Sequence, residues 1–483
     1  MSSQTSSSSQ VATTSRSVVG PTKKTTTFDP TQRYAPYATG GTIDGYVAPG
    51  WDKVRGAFSK NFADGQEVQA QLCITRGDGE SLVDLMGVNS SVAAAGTSNN
   101  SADEYTLDTV QPIWSCGKNL EVLVVAILVD RELIQYDDPI CKHWPAFAKQ
   151  GKEGITIADL MRHRAGMAYF VDPDDPENKF KQLTAEDIIA RTPMHELIEN
   201  SPPQQFGESR RTYHFVTRGF VLDGLLKHVD PQGRTIGEFA RDEVLTPLGI
   251  EDSYFVSLPS EENAKVSVAN LCPPHPAYSM HFDLGPALMG AGTPDMEFIL
   301  QFLNPASVAN RCQLGVRGYK DGDPQGTGIY MNSDGAPARI AECTSAWSFA
   351  SARALTKVLS VFTNGGVSGG TRIISTETAK KALDKMIFEV DEFSSLSCEF
   401  SQGGIGNIHS LMEDFGFVAE DAVAAYQGWI GWFGYGGSIN FTNVEEKISV
   451  SYTITGMSVR APDPRGIGIM KAVAEVLERD SPQ

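Results

Sequence analysis

The ten residues from Leu120 to Val129 hold nine apolar side chains and one charge, Glu121. A helix drawn through them is apolar on nearly every face, so it is stable only where protein surrounds it. The run is too short to cross a bilayer, and no stretch of the chain approaches eighteen apolar residues. The chain must therefore build a core deep enough to enclose a helix. With 41% hydrophobic residues among 483 it has the material, which excludes disorder of the whole chain. Length suggests about three domains as a soft prior, yet one large domain or two interlocked ones fit as well.

Directly before this helix stands Trp114-Ser115-Cys116-Gly117-Lys118. Ser115 is expected in the first helical turn, and residues three apart share a face, so Ser115 and Lys118 meet. A lysine at the end of a buried helix loses hydration and its pKa falls. A neutral amine beside a hydroxyl can take its proton. The helix N-terminus favours a developing alkoxide. The competing account is a serine N-cap and a surface lysine, and S-x-x-K arises by chance in most chains of this length. Other nucleophile motifs fail: Ile113 stands where a nucleophile elbow needs glycine, and Pro112 and Asn119 break a P-loop. Cys116 points roughly 100° away from Ser115 and reads as a small core residue.

Around this centre the chain reads as an α+β arrangement. Val54, Phe58 and Phe62 recur at helical spacing. Val68 to Thr75 and Ser81 to Met86 read as strands joined by Gly77-Asp78-Gly79. Gly437 to Phe441 and Ile448 to Thr455 read as two more, and Gly466 to Arg479 as a closing amphipathic helix. One antiparallel sheet is thus expected from about 44–90 and 425–483, with a helical part over about 115–380. Residues 385–425, acidic and dotted with Gly and Ser, suggest an insertion or lid. Residues 1–27 hold Ser or Thr at 15 positions and no acid, so residues 1–43 are expected to form a disordered tail before a domain spanning 44–483. No secretory h-region is present; the alternative to a plain tail is an organelle transit peptide.

Forty Lys and Arg against 59 Asp and Glu leave a net charge of −19, which argues against a nucleic-acid partner. Seven scattered cysteines without a CxxC pair suggest reduced thiols and a cytoplasmic protein, or an organellar one if the N-terminal segment is a targeting signal. Eight histidines show no HExxH, so no metal site is expected.

Ser115-x-x-Lys118, the stretch from Leu133 to Asp137-Asp138-Pro139, and Ile155 to His163-Arg164-Ala165-Gly166 together carry a resemblance. The chain resembles the serine β-lactamase and penicillin-binding-protein-like superfamily, in particular class C-like esterases and the animal mitochondrial β-lactamase-like proteins. The likeness covers most of residues 45–480 and implies a β-lactamase/transpeptidase-like fold. It also implies a second element, a loop tyrosine, matched by Tyr213 ahead of the helical run from Gly219 to Leu226. Phe215 stands where the family usually has Asn. A phenol near a lysine ammonium can ionise and serve as base or relay. The third element, K-T-G or H-x-G, is matched by Trp432-Phe433-Gly434 in a glycine-rich stretch, with Trp432 at the Lys or His position.

The resemblance implies that Ser115 is the nucleophile, that Lys118 and Tyr213 move its proton, and that the backbone N–H groups of Ser115 and Tyr435 form an oxyanion hole. Trp432, Phe433, Gly434 and His214 are expected to bind substrate, while His163 reads as a satisfied buried group. Loss of the Asn amide and of a cation at position 432 points away from β-lactams and toward neutral small or medium acyl esters. The implied function is a carboxylesterase without metal or cofactor. An acyltransferase, a peptidase or amidase, and a non-catalytic scaffold of the same fold are the alternatives. The sequence leaves monomer and homo-oligomer open.

Overall fold

The computed structural model describes residues 17–19, 39–89, 105–172, 181, 183–204, 210–258, 267–269, 271, 312, 341–416, 418–458 and 462–480. Ten strands form its main sheet: β1 (Ser17–Val19), β2 (Gly41–Val47), β3 (Gln69–Arg76), β4 (Glu80–Val88), β5 (Ile387–Val390), β6 (Ser397–Phe400), β7 (Gly406–Asn407), β8 (Trp429–Phe433), β9 (Ile439–Asn443) and β10 (Ile448–Ile454). Five helices frame it: α1 (Asp52–Ala63), α2 (Lys118–Asp130), α3 (Thr217–Val229), α4 (Ala352–Thr363) and α5 (Pro464–Asp480). The spatial order β1-β2-β4-β3-β10-β9-β8-β7-β6-β5 is antiparallel throughout and joins the two ends of the chain at β3 and β10, where Leu72 faces Tyr452.

The two faces of the sheet are buried for different reasons. Leu72, Ile74, Phe441, Val450 and Tyr452 pack against Val54, Phe58 and Phe62 of α1 and Ile469, Met470 and Val473 of α5. The opposite face of β10 carries Ser449, Ser451 and Thr453. Strict alternation of this kind ordinarily marks a strand with one wet face, yet all seven residues of β10 are buried. α4 covers the polar face. Thr356 Oγ1 lies 2.7 Å from Ser451 Oγ, and Gln71 Oε1 accepts the Ala352 N–H at 2.9 Å. Small hydroxyl side chains let the helix approach and find their partners on it.

A second core encloses α2. Twelve of its thirteen residues are buried, as its all-round apolarity requires. α3 packs beside it with Phe220, Val221 and Leu225. The arrangement is the α+β fold, with one antiparallel sheet drawn from both chain ends, that the sequence leads one to expect.

Three details differ from the reading of the sequence. Residues 385–425 are not a lid: they supply β5, β6 and β7, which extend the sheet beyond β8. These strands are four, four and two residues long, too short to show a period. The first long strand starts at Gly41, and Ser17–Val19, inside the expected tail, pairs with it along Thr42. The rest of residues 1–38 lies outside the described residues, as does 272–340 of the expected helical part apart from Cys312. Among the described residues, no helix is long and apolar enough to cross a membrane.

Candidate active site

Ser115 lies in a tight turn, Trp114–Gly117, of 3-10 geometry, and α2 begins only at Lys118. Trp114 enters this turn with φ of 49°, a conformation costly for a non-glycine residue. Gly117 fits because the chain at Thr344 comes close; a Cβ there would lie 2.2 Å from the Thr344 carbonyl oxygen. That approach places the Ser345 carbonyl over the start of α2.

The Lys118 ammonium sits under the serine with no exposure. Nζ is 2.8 Å from the carbonyl oxygens of Phe215 and Ser345 and 3.3 Å from Ser115 Oγ. Burial pulls its pKa down to about 7, and the nearby Arg218 guanidinium adds to the effect. A neutral amine has two N–H donors and one lone pair. The two carbonyls take both donors, which leaves the lone pair for the Ser115 hydroxyl. Tyr213 closes the group, with Oη 2.5 Å from Ser115 Oγ and its ring 4.8 Å below Nζ. Burial raises the Tyr213 phenol above its ordinary pKa, outweighing its hydrogen bond with Ser115. Burial thus favours the neutral phenol over a standing phenolate in the resting site.

Beneath these residues is an ion pair that the sequence did not single out. Arg218 Nε meets Glu121 Oε2 at 2.5 Å, both fully buried. Glu121 Oε1 accepts from Thr344 Oγ1 at 2.7 Å and Ser345 Oγ at 2.5 Å. Arg218 also donates to the Lys118 carbonyl at 3.1 Å and the Met161 carbonyl at 3.0 Å. The pair thus pins the segment that supplies an acceptor to Lys118. Its signal was present in the sequence as the lone charge inside an apolar helix.

The cleft above Ser115 is an apolar cavity of about 250 Å³. Ser115, Tyr213, Phe215, Trp432, Phe433, Gly434 and Tyr435 line one part, Phe393, Leu396, Phe400, Leu411 and Phe415 much of the rest, and Asp391 and Asp463 also reach it. Trp432 is stacked between Tyr213 (5.8 Å) and Phe400 (5.1 Å), and its indole N–H donates to the Gly404 carbonyl at 3.0 Å. It offers the cavity a ring face and no free donor. Phe433 also lies edge-on to Phe441 of the sheet core at 4.8 Å. The Trp114 and Tyr435 rings meet edge-on at 5.4 Å.

His214 is not a wall of this cavity, contrary to the expectation. It is fully buried, with Nδ1 donating to the Thr212 carbonyl at 2.6 Å and Nε2 accepting the Met167 N–H at 3.0 Å. Burial lowers its pKa to about 3. It braces the Tyr213 loop against the Ala165 segment. His163 accepts the His214 N–H at 3.1 Å and is a satisfied buried group. Cys116 is buried, its thiol pushed well up by burial. The six described cysteines are free, and among the described residues no group of His, Cys, Asp and Glu is arranged to hold a metal.

Residues 43–474 match the Beta-lactamase family. The esterase/beta-lactamase LipL of Mycobacterium tuberculosis (strain ATCC 25618 / H37Rv) is 28% identical over 275 residues, 56% of this chain. The match spans about half of that relative, 55% of its length. A family VIII carboxylesterase shares the fold with a TM-score of 0.67 at 24% identity, covering 90% of this chain and 99% of that one. A penicillin-binding protein homologue from Caulobacter crescentus does so at 0.65 and 24%, with the same coverage.

Proposed function

The chain belongs to the Beta-lactamase family, and on that premise we propose that it is a serine hydrolase of neutral carboxylic esters with Ser115 as nucleophile. The observation that carries the reading is the set of contacts around Lys118: two carbonyl acceptors and one serine hydroxyl around a buried amine whose pKa is about 7. Ser115 Oγ attacks the acyl carbonyl, and its proton passes to Lys118. The developing oxyanion is held by the N–H groups of Ser115 and Tyr435. Lys118 and Tyr213 return a proton to the departing alcohol oxygen. Water then attacks the acyl-enzyme, gives its proton to the same pair and releases the acid. An alcohol in place of water would make the same step an acyl transfer.

The aromatic and aliphatic cavity supports an uncharged acyl group. Phe215 and Trp432 present rings where family members carry an amide and a cation, so an anionic β-lactam carboxylate would lose its solvation without a partner. The name of the curated relative, an esterase and β-lactamase, is compatible with this reading and with its alternative. The test is a panel of p-nitrophenyl esters of increasing chain length run beside a chromogenic cephalosporin, wild type against Ser115→Ala. Ester turnover that disappears in the variant, with little or no cephalosporin turnover, is expected. Cephalosporin turnover faster than that of every ester, or equal rates in the two proteins, would overturn the reading.

A further inference from the structure

The loop from Gly434 to Gly437 carries Tyr435, and a side chain at the start of α5 holds that loop. Arg465 is 3% exposed. Its Nη2 donates to the Gly436 carbonyl at 2.9 Å, and Nη1 to the Gly456 carbonyl at 2.7 Å and the Gln66 carbonyl at 3.2 Å. The Ser458 N–H also donates to the Gly436 carbonyl at 2.9 Å. The peptide that bears this carbonyl bears the Gly437 N–H, which donates to the Gly434 carbonyl at 3.2 Å. The Gly434 carbonyl in turn shares its peptide plane with the Tyr435 N–H. A guanidinium is thus linked through two peptide units to the Tyr435 amide, and each hydrogen bond in such a chain polarises the next.

The guanidinium is itself fixed. Asp463 takes Nη2 at 2.7 Å and Nε at 3.1 Å, and Glu67 takes Nη1 at 3.1 Å from the other side. Tyr452 of β10 donates to Glu67. Gly437, at φ of 122°, lies directly on this pair; a Cβ there would be 2.3 Å from Asp463 Oδ2 and 2.6 Å from Arg465 Nη2. We propose that Arg465 is a positioning residue for acylation, setting the place and polarity of the Tyr435 amide through the Gly436 and Gly434 peptides. Arg465 does not line the cavity, whereas its partner Asp463 does, so Arg465→Lys is the variant that reads the route through the loop alone. The inference rests on the oxyanion role given to Tyr435 above.

The test compares wild type with Arg465→Lys and with the paired variant Asp463→Asn/Arg465→Gln, measuring kcat and KM for a p-nitrophenyl ester, the affinity of a boronic acid and thermal stability. An ammonium keeps the charge beside Asp463 but cannot reach all three carbonyls at once. The paired variant removes both charges, and Glu67, whose burial lifts its pKa to about 8, stays neutral without a partner at pH 7. Misplacing one donor costs on the order of 10- to 100-fold in rate. The expected result is a fall of that size in kcat, a parallel loss of boronate affinity, and KM within about threefold. Folded variants with kcat and boronate affinity unchanged would overturn the inference and leave the site reading intact. Loss of the fold in both variants would make Arg465 a support of the whole domain and also overturn it. A wild type no more active than Ser115→Ala would remove both.

Discussion

Between pH 6 and pH 8 Lys118 should pass from mostly ammonium to mostly free amine, and the rate of acylation should follow. Its pKa of about 7 against the ordinary 10.5 corresponds to about 5 kcal/mol of preference for the neutral form. About one Lys118 in ten is then neutral at pH 6 and about nine in ten at pH 8. At the ordinary value fewer than about one in a thousand would be neutral at pH 7. Because the neutral amine is the base, kcat/KM should rise tenfold per pH unit on the acid side and level off above pH 8. The same shift affects folding. Between about pH 7 and the ordinary lysine value the unfolded chain binds one more proton, so the Lys118 contribution to stability improves as pH rises through that window. The assay is hydrolysis of p-nitrophenyl butyrate from pH 5.5 to 9, read at the isosbestic wavelength. Lys118→Arg keeps its charge at every such pH and should be inactive throughout. A flat profile, a midpoint near 10, or an active Lys118→Arg would refute the assignment of Lys118 as base.

Tyr213→Phe keeps the ring stacked on Trp432 and removes only the hydroxyl, so kcat should fall by about 10²- to 10⁴-fold with the melting temperature nearly unchanged, as kinetics and calorimetry would show. Arg218→Met leaves the Glu121 carboxylate buried without its partner and should cost about 3–5 kcal/mol in urea denaturation. Phe415→Ala removes a ring from the cavity wall and should move the optimum of an ester chain-length series to longer acyl groups, with Ser115 dependence retained.

The central parts of this fold were legible in the sequence because their patterns are local. The apolarity of Leu120 to Val129 forces burial, and alternation at both chain ends marks the strands joined at β3 and β10. Ser115 and Lys118 are three residues apart, so their meeting follows from helix geometry. Tyr213, 98 positions from Ser115, came from the family resemblance alone, and the structure brings the two hydroxyls together. Other features depend on distant segments. β5 to β7 are strands only because β8 offers them an edge. The polar face of β10 reads as solvent-exposed until α4 covers it. His214 looks available beside Tyr213, yet the Met167 and Thr212 backbone groups occupy both its ring nitrogens. Glu121 was visible as an odd charge, but its partner Arg218 belongs to another helix.

The account stands most directly on Ser115 being an activated nucleophile. Intact mass after incubation with a fluorophosphonate, wild type beside Ser115→Ala, measures this without any choice of substrate. One adduct on the wild type, absent from the variant and formed faster at pH 8 than at pH 6, is the predicted result. A folded wild type that takes no adduct, or an equal adduct on both proteins, would contradict it.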